Sequence, residues 1–152
     1  MRLTATGDAY CWGENVNGEV GTGQIGATGQ HSPRPVLVAG GHRFRAIQAG
    51  FFRTCGVTVD DALLCWGWMV GPRGVAQCSS TNNWPGCATA PVLLTEGRFG
   101  SIALGQVHNC ALDLDGVGYC WGRRRNGNFG DGAPDNVEET LERIIWRAAT
   151  PR

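Results

Sequence analysis

Cysteine is the residue type whose spacing in this sequence most directly implies chemistry. Two pairs each span ten residues: Cys55 with Cys65, and Cys110 with Cys120. A hairpin turn midway, with Asp61 or Gly116 in the left-handed position of its loop, would set the two cysteines opposite each other on antiparallel strands. Residues opposed in this way lie about 4.5 Å apart at Cα, which is within disulfide reach. The spacing therefore predicts two cross-strand disulfides, with reduced, buried cysteines as the alternative.

The other three cysteines, Cys11, Cys78 and Cys87, do not form pairs with the ten-residue spacing. Cys11 occupies the place of the second cysteine in its own hairpin, with Gly7 in the left-handed position of the loop, but Met1 stands where its partner would be. Cys78 and Cys87 flank the stretch "CSSTNNWPGC" and are predicted to staple it by a third disulfide. Zinc sites use ligands about two to four residues apart, and this sequence has no such cysteine pair. Persistent disulfides predict an oxidising compartment, so we expect an extracellular or cell-envelope location.

An internal repeat organises the chain. The tripeptide "CWG" occurs at 11–13, 65–67 and 120–122, and "HRFRAIQAGFFRTCGV" (42–57) aligns with "GRFGSIALGQVHNCAL" (97–112). "PVLV" matches "PVLL", and "NGEVGTG" matches "NGNFGDG", whereas the middle copy departs from the pattern over an insertion at about 68–90. With 24 glycines and few charged residues, the sequence predicts short strands and tight turns. We expect an all-β repeat fold.

These marks, taken as G-x-x-Y-C-W-G, N-G-x-x-G-x-G, P-V and F-x-x-I-x-x-G, resemble the regulator of chromosome condensation repeat family. The cysteine-bearing form is similar to that of secreted or surface-attached bacterial members. The resemblance covers residues 1–132 and implies a β-propeller built of four-stranded antiparallel blades. For a chain of this length it implies a partial propeller of about two to three blades.

The first hairpin bears on how such a propeller would be completed. Met1 replaces a cysteine, which predicts that the chain starts inside a hairpin and is a fragment of a larger propeller. The alternatives to such a truncated gene product are that the sequence is one piece of a longer chain, or that copies of the chain self-assemble into an oligomer that completes the ring. An open set of blades would expose apolar faces that should meet neighbours.

The C-terminal stretch, residues 133–152, reads as a helical tail. Asp135 can cap a helix, with Glu138 three residues on in capping-box register. One apolar stripe has helical spacing and contains Val137, Leu141, Ile144, Ile145 and Ala148. A short C-terminal α-helix is therefore predicted, which would pack on the last blade, shield an open edge or dock a partner.

Composition excludes several function classes. Thirteen basic and thirteen acidic residues balance, so neither a nucleic-acid nor an anionic-membrane partner is predicted. No apolar run is long enough to span a bilayer. The three histidines lie far apart, and no nucleophile–base pair or phosphate loop occurs, so we predict no catalytic residue, no cofactor and no metal.

The remaining function is recognition. Tryptophan and arginine are the residue types that anchor protein interfaces. The candidates for partner binding are Trp68, Met69 and Trp84 in the middle repeat, with Arg123, Arg124 and Arg125 in the turn "GRRRNG". We expect a non-catalytic protein-binding or scaffold module. Guanine-nucleotide exchange on a small GTPase, implied by the family's founding member, and carbohydrate or surface-polymer binding are the alternatives.

Overall fold

Short antiparallel strands dominate the structure, a computed structural model that describes residues 1–25, 31–68 and 87–144. Within these ranges the strands are β1 (Arg2–Leu3), β2 (Ala9–Glu14), β3 (His31–Leu37), β4 (Phe44–Ala49), β5 (Arg53–Thr58), β6 (Leu63–Trp68), β7 (Cys87–Thr95), β8 (Phe99–Leu104), β9 (His108–Asp113), β10 (Gly118–Arg124) and β11 (Asn136–Ile144). The described residues contain no helix.

The strands form three sheets that repeat one plan. Blade 1 has the order β1-β2-β3, blade 2 the order β4-β5-β6-β7, and blade 3 the order β8-β9-β10-β11. Strand β4 contacts both β1 and β8, so the first strand of blade 2 touches the blades on either side. In the described part of the chain, blade 1 has no counterpart of β4 and β8. The predicted all-β partial propeller is confirmed, with three blades.

The predicted hairpin turns are also confirmed. Gly7, Asp61 and Gly116 all have positive φ, at 84°, 67° and 80°. Each of the three donates its N–H to the carbonyl three positions back, for example Gly116 N to Asp113 O at 3.1 Å. Asp61 adopts the left-handed conformation that aspartate tolerates and most other side chains avoid.

The register of the antiparallel strands places the paired cysteines opposite each other. Cys55 pairs with Cys65, and Cys110 with Cys120, at Cα separations of 4.0 and 4.1 Å, and both pairs are disulfides. Each bond closes a short loop and should contribute roughly 2–3 kcal/mol to stability.

Cys11 lies in the same strand position without a disulfide. Arg2 pairs with Tyr10, so the register continues with Met1 opposite Cys11. The Cys11 thiol is free and buried, and burial raises its pKa to about 11. Cys78 lies outside the described residues, so its predicted bond to Cys87, a buried residue at the start of β7, stays a prediction.

The predicted C-terminal helix is wrong for Asn136–Ile144. These residues form strand β11, which pairs antiparallel with β10, for example Trp121 with Leu141. Helical spacing of apolar residues is a local signal, whereas the outer edge of β10 presents unpaired backbone groups that a fourth strand satisfies. Blade 3 thus extends beyond residue 132, the predicted end of the repeats. Residues 145–152 lie outside the described ranges.

A repeated latch joins neighbouring blades on the side of the hairpin turns. The Phe44 N–H of blade 2 donates to the Gly7 carbonyl of blade 1 at 2.8 Å, and the Phe99 N–H of blade 3 donates to the Asp61 carbonyl at 2.8 Å. Both phenylalanine rings are buried. An arginine accompanies each latch, with Arg98 paired to the Asp61 carboxylate at 2.6 Å. The core therefore runs continuously between blades.

Candidate functional site

A cleft of about 280 Å³ opens between blades 2 and 3, at the end of the blades away from the hairpin turns. We call it the aromatic cleft. Its lining comes from the β4–β5 turn, the β8–β9 turn and the last residues of β6 and β10, and comprises Phe51, Phe52, Arg53, Trp68, Gln106, Val107 and Arg123. The two turns and two strand ends meet because the blades are stacked copies of one plan.

The repeat sequence explains the shape of the two turns. In blade 2 the Gly50 N–H donates to the Arg53 carbonyl at 2.8 Å, and in blade 3 the Gly105 N–H donates to the His108 carbonyl at 3.0 Å. Each glycine thus closes a four-residue turn whose two central residues project at the rim. Those residues are not repeated: blade 2 has Phe-Phe where blade 3 has Gln-Val.

The glycine of each "CWG" places the next side chain in the cleft. Gly67 has φ 95°, and a Cβ there would lie 2.5 Å from the Phe52 carbonyl oxygen. Because only glycine fits this approach, the Trp68 N–H can donate to that same carbonyl at 2.7 Å. Blade 3 repeats the arrangement, with the Arg123 N–H donating to the Val107 carbonyl at 2.8 Å. The backbone conformation after "CWG" is therefore the same in blades 2 and 3, whereas the side chain that it directs into the cleft is Trp68 in one and Arg123 in the other.

Aromatic rings form one wall. The Phe51 and Phe52 ring centroids are 4.1 Å apart, and Phe52 meets Trp68 edge-on at 6.2 Å. Phe51 is 48% exposed and Val107, across the cleft, is 37% exposed. Phe52 has a φ of 61°, which is uncommon for an aromatic residue and is held by the bond to Trp68. Such a rigid apolar wall suits contact with a partner.

Arg53 forms the floor. The residue is 1% exposed, and its guanidinium carbon lies 5.8 Å from the centroid of the Trp68 ring. With the Asn109 amide oriented to satisfy both neighbours, its oxygen accepts from Arg53 Nη1 at 2.8 Å and its nitrogen donates to the His108 carbonyl at 3.2 Å. Arg53 therefore connects blade 2 to blade 3 and brings positive charge beneath the aromatic wall.

The three predicted arginines separate in the structure. Arg123 lines the aromatic cleft together with Trp68. Arg124 is buried, pairs with the Asp131 carboxylate at 2.5 Å and lies 4.9 Å from the Phe129 ring centroid, so it holds the loop within blade 3. Arg125 is exposed in that turn, where its N–H donates to Asn128 Oδ1 at 3.0 Å. Met69 and Trp84 lie outside the described residues.

Sequence reasoning missed five lining residues, Phe51, Phe52, Arg53, Gln106 and Val107. A signal was available, because within the aligned segments "AGFFRTC" and "LGQVHNC" these positions differ while the flanking glycine and cysteine recur. Recurring residues build the blade, and residues that change at aligned positions are free to serve recognition.

A second, smaller cleft of about 180 Å³ lies between blades 1 and 2 and shares Phe52 and Arg53 with the first. Its remaining lining includes Trp12 and two acidic residues, Glu14 and Glu19. Glu14 follows the "CWG" of blade 1, in the place of Trp68 and Arg123. Among the described lining residues, the two neighbouring clefts therefore differ in charge, because carboxylates line the smaller one and not the aromatic cleft.

Within the described residues, no group of three or more His, Cys, Asp and Glu side chains is placed to hold a metal ion. The described part of the chain also has no helix of the length and apolarity needed to cross a membrane.

Three consecutive antiparallel sheets, joined by one repeated latch and one repeated "CWG" frame, define a partial β-propeller. The family described as the regulator of chromosome condensation (RCC1) repeat matches residues 6–57 of this chain. The fold is similar to that of Prp20p from Saccharomyces cerevisiae, with a TM-score of 0.77 and 22% identity over 94% of this chain and 35% of that one. The structure of Prp20p was described with its binding to Gsp1p and histones. Human WBSCR16 is similar with a TM-score of 0.66 and 19% identity, over 91% of this chain and 34% of that one.

Curated relatives are longer proteins. The ultraviolet-B receptor UVR8 of Arabidopsis thaliana is 27% identical over 134 residues, which are 87% of this chain and 29% of the relative. The E3 ubiquitin-protein ligase HERC2 of Homo sapiens is 28% identical over 141 residues, 89% of this chain and 3% of the ligase. This chain thus spans less than a third of each of these relatives.

Proposed function

We propose that this chain is a non-catalytic protein-recognition module that binds its partner at the aromatic cleft. The observation that carries the proposal is the meeting of two predicted anchor residues, Trp68 and Arg123, with the exposed Phe51 on turns of constant geometry. Rigid aromatic side chains and arginine supply much of the binding energy at protein interfaces.

Charge indicates what the partner contributes. The aromatic cleft has Arg53 below and Arg123 at its side, and none of the described residues that line it is acidic. A partner segment that places an apolar side chain against Phe51 and a carboxylate near Arg123 would match both surfaces.

The two disulfides support an extracellular or cell-envelope setting, because such bonds persist in oxidising compartments. We place the partner in that same setting.

The proposal is tested by capture with matched variants of the full chain. Phe51→Ser and Arg123→Ala alter the cleft, whereas Leu114→Ser alters a side chain of similar exposure, 51%, on the hairpin-turn side. Each variant is immobilised and exposed to a cell-envelope extract, and retained proteins are quantified by mass spectrometry. We expect one protein to be retained by wild type and Leu114→Ser and reduced at least about tenfold by each cleft variant, which corresponds to losing one anchor. Equal retention by all four would contradict the cleft.

Two further assays address the other function classes. Faster nucleotide release from a GDP-loaded small GTPase would instead support exchange, the alternative that the family resemblance implies. Quenching of tryptophan fluorescence by cell-wall glycans, lost in a Trp68→Ala variant, would support carbohydrate binding.

A further inference from the structure

Trp66 shows how one blade receives the tryptophan of the next. Its indole is fully buried, and its Nε1 donates to the Glu19 carbonyl of blade 1 at 2.9 Å. The ring lies against the backbone at Gly21, where a Cβ would come within 2.6 Å of the indole nitrogen. The blade 1 loop at 17–23, "NGEVGTG", therefore forms a tryptophan-receiving loop whose glycine leaves room for the ring.

Blade 3 carries the same loop at 126–132, "NGNFGDG", in the same conformation. Gly130 N donates to the Gly127 carbonyl at 2.9 Å, just as Gly21 N donates to the Gly18 carbonyl at 2.9 Å. The paired glycines all have positive φ, at 68° and 70° in blade 3 and 86° and 79° in blade 1. A buried apolar residue anchors each loop, Phe129 in one and Val20 in the other.

The two loops differ in what covers them. Gly18 and Gly21 are buried beneath blade 2, whereas Gly127 and Gly130 are exposed. A Cβ at Gly127 would meet no atom within 4 Å, while one at Gly18 would lie 2.7 Å from the Thr89 Cα. Among the described residues, blade 3 thus presents a formed receiving loop that is open to solvent.

Trp12, on the other side of the molecule, is a tryptophan that could occupy such a loop. It occupies the strand position of Trp66 in its "CWG", yet it is 44% exposed. A Cβ at its neighbour Gly13 would meet no atom within 4 Å, whereas one at Gly67 would be crowded by the Phe52 backbone. One side of the molecule exposes the tryptophan and the other exposes the loop.

We propose that a second copy of this chain joins these halves head to tail, with the Trp12 indole of one copy seated on the 126–132 loop of the next. The template is the chain's own contact between blades 1 and 2, in which the residue equivalent to Asn128 is Glu19. The Trp12 Nε1–H then donates to the Asn128 carbonyl of the neighbouring copy. Because the two surfaces differ, the contact is heterologous, and assemblies can grow beyond a dimer. The contact does not use the residues that line the aromatic cleft, so it is tested independently of the proposed function.

Sedimentation equilibrium of the full chain over a range of concentrations tests this directly. The average mass of the wild type should rise above that of the monomer and pass beyond the dimer. Trp12→Ala removes the indole, and Gly130→Asn adds a side chain on the receiving surface while asparagine tolerates the left-handed backbone. Each variant alone should associate at least about tenfold more weakly, because the seated ring and its hydrogen bond are lost.

Mixing the variants distinguishes head-to-tail pairing from a symmetric contact. Trp12→Ala retains the loop and Gly130→Asn retains the tryptophan, so an equimolar mixture should form a 1:1 dimer and grow no further. Val59→Ser, which alters an exposed apolar residue of blade 2 outside both halves and outside the aromatic cleft, should associate like the wild type.

Three outcomes would overturn the proposal: a wild type that stays monomeric at millimolar concentration, undiminished association of Trp12→Ala, or a mixture of the two variants that remains monomeric. Circular dichroism and unfolding of each variant establish that it is folded before its mass is interpreted.

Discussion

Blades 1 and 2 contain the same tripeptide, Cys-Trp-Gly, on the same strand of the sheet, in opposite surroundings. Cys65 is disulfide-bonded and Trp66 is sealed by the loop of the preceding blade. Cys11 is a free thiol opposite Met1, and Trp12 is 44% exposed. The tripeptide specifies strand position and backbone shape, but its energetic role depends on what lies across the strand and across the blade interface.

The largest difference should appear when the two tryptophans are truncated. Trp66→Ala leaves a cavity between blades 1 and 2 and removes one of the two side-chain hydrogen bonds that the Glu19 carbonyl accepts, the other coming from Thr54. We therefore expect a loss of about 3–5 kcal/mol in the free energy of unfolding. Trp12→Ala should cost no more than about 1 kcal/mol, because the side chain is already partly in water. Urea unfolding at low protein concentration measures both. Similar costs for the two variants would mean that Trp12 is packed in solution as Trp66 is.

A smaller effect should follow from giving blade 1 the cysteine that the other blades have. Met1→Cys, made with an additional initiating methionine, places a thiol opposite Cys11 at the same ten-residue separation as Cys55 and Cys65. We expect a third cross-strand disulfide and a gain of roughly 2–3 kcal/mol under oxidising conditions.

Met1→Ser is the matched control for that variant, and a reductant should remove the gain. The Cys11 thiol should also lose its reactivity toward a maleimide in the denatured, unreduced Met1→Cys protein. An unchanged unfolding midpoint, with Cys11 still reactive, would show that the register at Met1 differs from that at Cys55.

The smallest effect should come from acid at the latch between blades 2 and 3. The hydrogen bond from Arg98 lowers the pKa of Asp61 from its ordinary value of 3.8, with Arg45 adding to the shift. The unfolded chain therefore binds the proton more readily, so this contribution is present above pH 3.8 and is lost as the pH falls through the lower, folded value.

Asp61→Asn isolates this contribution. At pH 7 the variant should unfold at slightly lower urea concentration than wild type, and the difference should shrink as the pH falls below about 4. Asp60→Asn, at the exposed neighbour, should match wild type throughout. A difference that persists unchanged at low pH would indicate a turn effect in place of the ion pair.

The aromatic cleft shows which residues of a binding site can be predicted from the sequence and which cannot. Residue type alone selects Trp68 and Arg123 as anchors, and the structure brings them together although they are 55 residues apart. The same argument selects Arg124, which is buried against Asp131 and Phe129. Adjacent residues on a strand point to opposite faces, so a run of three arginines cannot all serve one surface. Phe51 and Phe52 become visible as site residues only when the turns of two blades are placed side by side.

The sequence alone determined what depends on short-range geometry: the all-β repeat, the left-handed turns at Gly7, Asp61 and Gly116, and the opposition of paired cysteines. These follow from turn chemistry and the two-residue period of a strand, which act within one hairpin. Tertiary structure decided the fate of Asn136–Ile144, where the open edge of β10 prevailed over a helical apolar pattern. It also decided which copy of "CWG" is sealed and which is exposed, because burial is supplied by a neighbouring blade and local sequence carries no record of whether one is present.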